Sequence, residues 1–409
     1  MRKSRLKYLI IAFLVITILF FSNDFGLIDV EKEAIITAVA IDVNDQEKYE
    51  VTVQIAVPEA SNTTTENNKA QITGHGDTIG SAIKNTGDIS GWYPQLAFCN
   101  LIIIGDKVAE SDIIKVLDFF AKTLRIQDSA QLVLAENTAK ELLEKTTPLD
   151  NISSFAIQKI LFKNPGFDTD VATVDIKTFC SGYYSDSNSS FMPMIKLLSK
   201  DGKTQDKNSQ SQNGGQEQSN QSQQSKSEQS ADSKKGENFF DASYTALFYK
   251  GVKVGELNTE MTHTFNMLWR NVKGTTIPVN YYSTSGQKNS YLLKVLRCTP
   301  KIKVTANDFE LKMDVSVDLY CKITDHNGSD HNASVSNNKP LPDKLIKEAQ
   351  NQLTENMLGL IQTSKQTGCD FFGIKEKIYR FNHKYYARYK DVFLQEVVPN
   401  INVNVSGQK

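Results

Sequence analysis

Few of the residues that mark a catalytic or metal centre are present. Histidine occurs five times in 409 residues, tryptophan twice, and cysteine five times, at 99, 180, 298, 321 and 369. The odd count and the lack of any CxxC pair exclude a zinc ribbon or a disulfide framework as the organising device. Cys298 and Cys321 fall in two strand-like runs and are the one pair placed to bridge; small buried hydrophobe is the default for all five. Net charge is lacking too. Forty-six basic residues against 47 acidic ones leave no field to gather nucleic acid or an acidic substrate. No GxSxG or HExxH occurs, which removes nucleophile-elbow hydrolases and helical zinc proteases. "GHGDTIG" around His75 has neither the Lys-Ser/Thr ending of a P-loop nor the GxGxxG spacing. "DHNGSDHN", with His326 and His331, is by composition a solvated turn before it is a metal site. No catalytic, cofactor-binding or metal-binding residue is assigned, no cofactor is expected, and an enzyme is not the expected class.

Long apolar runs are missing except at the start, where Tyr8 to Phe21 reads "YLIIAFLVITILFF" behind Arg2, Lys3, Arg5 and Lys7. The basic flank stays cytoplasmic, so the rest of the chain is expected outside. At ~1.5 Å per residue the run covers ~21 Å, short of a ~30 Å hydrocarbon core and suited to a signal peptide. Cleavage sites with small residues at both required positions are absent, which favours retention as an anchor. No cysteine precedes Cys99, so lipid modification of a leading cysteine is excluded.

The exported part shifts in character along its length. Residues 29–200 read as an N-terminal α/β domain. A hairpin is expected at Ala34–Val57, a buried strand at "LIIIGD", a helix capped by Ser111, one capped by Asn137, and one from about Thr169 to Tyr183. Residues 201–238 carry no aromatic and no apolar side chain larger than alanine, and read as a disordered Gln/Ser-rich linker. Residues 239–285 read as a small β-rich middle domain with a hairpin turning at Lys250-Gly251. Residues 286–409 read as a C-terminal α+β domain: strands with turns near Pro300 and Asn307-Asp308, a helix from Pro342 to Gln366, another from Lys375 to Leu394, and a closing strand. The fold class is α+β and multidomain, with mixed sheets covered by helices behind an N-terminal anchor or signal helix.

Four stretches in order resemble one family. "AIITAVAIDVNDQEKYEVTVQIAVPEA", "LIIIGDKVAESDIIKVLDFF", "ALFYKGVKVGELNTEMT" and "GCDFFGIKEKIYR" are similar to segments of the GerAC or Ger(x)C family, the C subunits of nutrient germinant receptors of spore-forming bacteria. The resemblance covers nearly the whole exported chain. It implies a non-enzymatic subunit on the outer face of the spore inner membrane, a three-domain α+β architecture, and two multi-spanning partners, an A-type subunit and a transporter-like B-type subunit. The family-signature positions carried over are Phe248, Gly251, Gly255, Leu257, Glu260, Asp370 and Gly373, expected to be mainly structural. The chain departs from the family in having Ser22-Asn23-Asp24 where a lipid-anchor cysteine is usual, Met261 after Glu260, and Tyr385, Tyr386 and Tyr389 where a tryptophan is common. With no lipid, Tyr8 to Phe21 is left to hold the protein to the membrane. A stand-alone solute-binding or scaffold protein and an envelope enzyme are the competing classes. The first needs two similar lobes around a cleft, and the two halves show no repeat.

Overall fold

The structure, a computed structural model, describes residues 7, 11–17, 33–56, 69–122, 126–150, 152–162, 170–198, 238–270, 272–282, 287–327 and 341–407. Residues 11–17 are helical, with Ile11, Phe13, Leu14, Val15 and Ile16 exposed. The rest of the expected Tyr8–Phe21 anchor, the 201–237 tract and His331 lie outside the described residues. Among the described residues no helix is long and apolar enough to cross a membrane.

The expected first hairpin is present as β1 (Glu33–Val43) and β2 (Tyr49–Ala56), turned by Asn44, whose Oδ1 accepts from the backbone of Gln46 and Lys48. β3 (Lys69–Gly76) flanks β2. α1 (Ile79–Ser90) begins with a capping box of Thr78 and Ser81. Then follow β4 (Tyr93–Gln95), β5 (Leu101–Ile104), α2 (Asp106–Ala109), α3 (Ile114–Lys122), β6 (Gln131–Ala135), α4 (Ala139–Glu144), α5 (Ser153–Leu161), α6 (Ile176–Tyr183) and β7 (Ser189–Leu198). β8 (Phe239–Tyr249) and β9 (Val252–Leu257) complete a sheet ordered β3-β2-β1-β5-β6-β7-β8-β9, with β4 beside β1. Residues 239–257, grouped by sequence pattern with a middle domain, thus pair onto β7.

The centre of this sheet, β1-β5-β6-β7, is parallel. Both its faces are covered, which is why β5 and β6 read as unbroken apolar runs. Ile102, Ile104, Leu132 and Leu134 face α1, α3 and α6, while Leu101, Ile103, Val133 and Ala135 face α4 and α5.

α7 (Thr259–Trp269), capped by Asn258, leads into β10 (Thr276–Tyr282), β11 (Lys288–Ala306) and β12 (Leu311–Asn327). α8 (Asp343–Thr367), α9 (Ile374–Phe381), α10 (His383–Tyr389) and α11 (Phe393–Glu396) connect β12 to β13 (Val397–Gly407). The second sheet is β10-β11-β12-β13, and β13 runs parallel to β12 while the other pairs are antiparallel, so the sheet is mixed. A parallel neighbour requires a crossover, and the four helices supply it.

Local expectations differ at identifiable points. β11 passes straight through Pro300, because beyond Val295 it is paired only with β12 and the missing N–H has no partner to lose on its other side. The expected Lys375–Leu394 helix breaks at Asn382, whose side chain instead accepts from Ala306 N and donates to Val304 O at the end of β11. Asp112, not Ser111, accepts from the first turn of α3. The helix expected from Thr169 begins only at Ile176, after the Asp175 cap.

α4 is capped by Thr138 rather than Asn137, and also from a distance: Asp42, in β1, accepts from Ala139 N at 2.8 Å and Lys140 N at 2.9 Å. Burial raises the Asp42 pKa while these two donors pull it down. Asp42→Ala removes both acceptors, and a loss of about 2 kcal/mol in urea unfolding is expected; a change within 0.5 kcal/mol (about the scatter of neutral surface substitutions) would mean water replaces the carboxylate at no cost.

Candidate functional site: the seam between the two sheets

Two short segments distant in sequence meet where the first sheet joins the helices of the second. One is the β8–β9 hairpin. Lys250 (φ 51) and Gly251 (φ 78) form its tip, the pair of left-handed residues that a two-residue hairpin with matching twist requires. Lys250 N donates to Asn188 O, and Gly251 O accepts from Ile113 N at 3.0 Å, so the tip is latched to both α3 and the α6–β7 turn. A Cβ on Gly251 would stand 1.9 Å from Asp112 Oδ1. Further along, Lys253 pairs with Asp106 at 2.8 Å, tying β9 to α2.

The other segment is the connection from α8 to α9. α8 arrives on β9 at Gly255, where a Cβ would lie 2.7 Å from the Thr367 methyl carbon. Gly368 (φ 71) ends the helix. Cys369 then donates its thiol to Phe248 O at 3.3 Å, and Asp370 N donates to Ser189 Oγ at 2.9 Å. The Asp370 carboxylate turns back to accept from Ile374 N at 2.8 Å and Lys375 N at 2.9 Å, capping α9. Gly373 (φ 64) lies between, its N–H donating to Asp370 O. Phe371 and Phe372 are buried; Phe371 meets Phe265 of α7 edge-on at 5.5 Å, and Phe265 meets Phe191 of β7 at 4.9 Å. One apolar cluster runs continuously through this region from Ile36 to Val405.

The electrostatics follow from burial. Asp370 is 2% exposed, and burial pushes its carboxyl up to about 7 against the pull of its two capping donors and of Lys377. Lys377 donates Nζ to Phe372 O at 2.6 Å and is itself shifted down by burial. The Cys369 thiol is pushed up to about 12, which makes it a packed donor and a poor nucleophile. Beside the seam lies an open cleft of 780 Å³ lined by Asp175, Lys177, Tyr184, Trp269, Glu376 and the serines around the α6–β7 turn. These groups can hydrogen-bond a polar surface. No histidine is among its lining residues, and among the described residues no three His, Cys, Asp or Glu side chains converge as metal ligands would.

Of the positions singled out in the sequence, Phe248, Gly251, Gly255, Asp370 and Gly373 come together here, with Leu257 buried at the end of β9. Phe248 also meets Phe179 of α6 edge-on at 5.3 Å. Glu260 stands apart, exposed in the first turn of α7, where its charge complements the helix N-terminus. Sequence reading missed Ser189, Cys369, Asp112 and Lys377. Asp112, Cys369 and Lys377 sat in stretches already marked, without a role of their own; Ser189 did not, and the Ser189–Asp370 contact spans 181 positions and leaves no local pattern.

Two family models match the chain. One, described as the spore germination protein N-terminal domain, covers residues 27–197, and the other, described as spore germination B3/GerAC like, C-terminal, covers residues 243–408. No curated protein matches the chain significantly. Among solved structures, the crystal structure of the GerBC protein is similar at 14% sequence identity over 90% of this chain and 96% of that one, with a TM-score of 0.46.

Proposed function

This chain belongs to the GerAC-like family of spore germination proteins, and from that premise we propose that it works by assembly and catalyses no reaction. The family makes it a germinant-receptor C subunit associated with the spore membrane. In the proposed arrangement it lies on the outer face of the spore inner membrane, held by the helix from Tyr8 to Phe21. There it docks on an A-type and a transporter-like B-type multi-spanning subunit and supports nutrient-triggered germination. Phe248, Gly251, Gly255, Leu257, Asp370 and Gly373 serve this role structurally, Gly251 by holding the β8–β9 hairpin on its own sheet and Phe248, Gly255 and Asp370 by joining that sheet to the helices of the second.

One observation carries the reading: these positions are spent on backbone turns, a helix cap and close packing at an internal seam. A rigid body that presents a fixed surface fits a subunit that transmits a signal between partners. A solute-binding protein instead hinges between two similar lobes, and here a mixed sheet of nine strands faces one of four.

The test is affinity purification of the C-terminally tagged chain from detergent-solubilised spore membranes, reading co-purifying proteins and intact mass. Two multi-spanning partners in near-fixed ratio with a full-length mass is the expected result. Partners with a truncated mass would overturn the anchor but keep the assembly. A chain recovered alone would overturn the assembly and leave the solute-binding class.

A further inference from the structure

Single exposed apolar side chains are ordinary on any protein surface, but a group of them in a stretch without charge requires an explanation. From Ile89 through Gly105 the chain has no charged residue, in a protein that is 23% charged. β5 accounts for the end of that stretch, because it is core. The start is surface. Ile89, in the last turn of α1, is 60% exposed, Trp92 49%, Tyr93 54% and Phe98 58%.

All four lie on the segments that flank or form β4. Gly91 (φ 73) ends α1 and turns the chain back, so that Trp92 and Pro94 pack their backbone and ring on Gly87. Tyr93 then enters β4, which pairs in parallel with the first residues of β1, Glu33 opposite Tyr93 and Ile35 opposite Gln95. Side chains two apart share a face, so exposed Ile35 lies on the same side of this ladder as Tyr93. A turn closed by Cys99 N donating to Leu96 O leaves Phe98 outward, and Asn100 N returns the chain to β1 by donating to Thr37 O. Ile35 and Tyr93 therefore share one face at the N-terminal end of β1, with Glu33 opposite Tyr93, and exposed Ile89, Trp92 and Phe98 lie on the segments that lead into and out of β4.

That end is also where the chain comes from the apolar run. Tyr8 to Phe21 stops twelve residues before Glu33, and at most ~3.5 Å per residue limits the separation to about 40 Å. Trp and Tyr are the side chains that settle at the headgroup level, with an apolar body and a polar tip.

We propose that Ile35, Ile89, Trp92, Tyr93 and Phe98 form a bilayer-contacting patch that seats the folded domain on the membrane surface beside its anchor; the proposal rests on the anchor reading above. The occupant is the lipid headgroup and upper acyl region, not a protein. Such a patch fixes which side of the domain faces the membrane, and so which surfaces remain open to other subunits.

The chain has two tryptophans, and both are half exposed. The experiment uses the full-length chain in phosphatidylcholine/phosphatidylglycerol vesicles with brominated acyl chains. Trp269→Phe leaves Trp92 as the only reporter, and Trp92→Phe leaves Trp269 as the control. Bromolipid is expected to lower Trp92 emission roughly two-fold and aqueous iodide to leave it unchanged, with Trp269 behaving in the opposite way. Should Trp269→Phe misfold, the difference between unsubstituted protein and Trp92→Phe gives the same quantity. Flotation of the vesicles reports anchorage independently. A chain that floats while iodide reaches Trp92 defeats the patch and leaves the anchor standing. Shielding from both quenchers means protein covers Trp92, which also overturns the bilayer as occupant. A chain that does not float defeats the anchor reading and the patch that rests on it.

Discussion

Gly251→Val is expected to lower the unfolding free energy by about 3 kcal/mol. Two costs add. A β-branched residue at φ 78 is strained by about 1–2 kcal/mol, because its Cβ crowds the neighbouring carbonyl in the left-handed region. The new Cβ would also stand 1.9 Å from Asp112 Oδ1, so the aspartate must leave. It takes with it the bond from Ile114 N at 3.1 Å that starts α3 and the one from the Tyr183 hydroxyl at 3.2 Å, together worth about 1 kcal/mol or more. Gly251→Asn separates the terms, since asparagine tolerates the backbone angle but not the contact. Urea midpoints at constant m-value measure both. If valine costs less than about 0.5 kcal/mol, the tip is not latched to α3 as described.

The second large effect is in pH. Asp370 in the folded protein titrates at about 7, raised by burial, whereas an unfolded aspartate titrates at ~3.9. Between those values the folded chain holds a proton that the unfolded chain has released. Stability from this group is therefore complete below about pH 4, declines as pH rises through the folded value near 7, and levels off above it. The expected loss is on the order of 4 kcal/mol. Asp370→Asn has no proton to exchange, so its stability should lose this component. It will also start lower, because its amide still accepts from Ile374 N but sets a donor against Lys375 N. The comparison is therefore one of slopes: unfolding free energy of both proteins at pH 5, 6, 7 and 8. Parallel lines would sink the idea and show that Lys377 compensates the buried charge completely.

How much of this was legible beforehand depended on how local the cause was. The β8–β9 hairpin could be read because Lys250-Gly251 and the alternation around it are contiguous. β5 and β6 could be read because burial on both faces leaves an unbroken apolar run. Pro300 was misread as a turn, since only the pairing partners of β11 reveal that its free side is there. Asn382 was read through as helix because its reason for breaking the helix, the bonds to Val304 and Ala306, lies some 80 positions away. The direction of β13 was equally hidden, as nothing in "VVPNINVNVSG" distinguishes a parallel neighbour from an antiparallel one. At the seam, Gly251, Gly255 and Gly373 could be marked as structural positions, Gly251 as the hairpin turn, but nothing local names Asp112, Thr367 and Asp370 as the groups that meet them.

The shared sheet has a consequence for the order in which the chain takes shape. β7 lies between β6 and β8, and Phe191, Met192, Met194 and Ile195 on it are all buried. β8 and β9, which cover its open side, arrive only after residues 199–238 have emerged. During synthesis the nascent protein therefore carries an unpaired strand with free N–H and C=O groups, the condition that invites pairing with another chain. The two regions matched by family models divide at this point, and a fragment ending at residue 197 would keep that edge permanently. The first sheet is a unit of structure that the ribosome does not finish until Leu257.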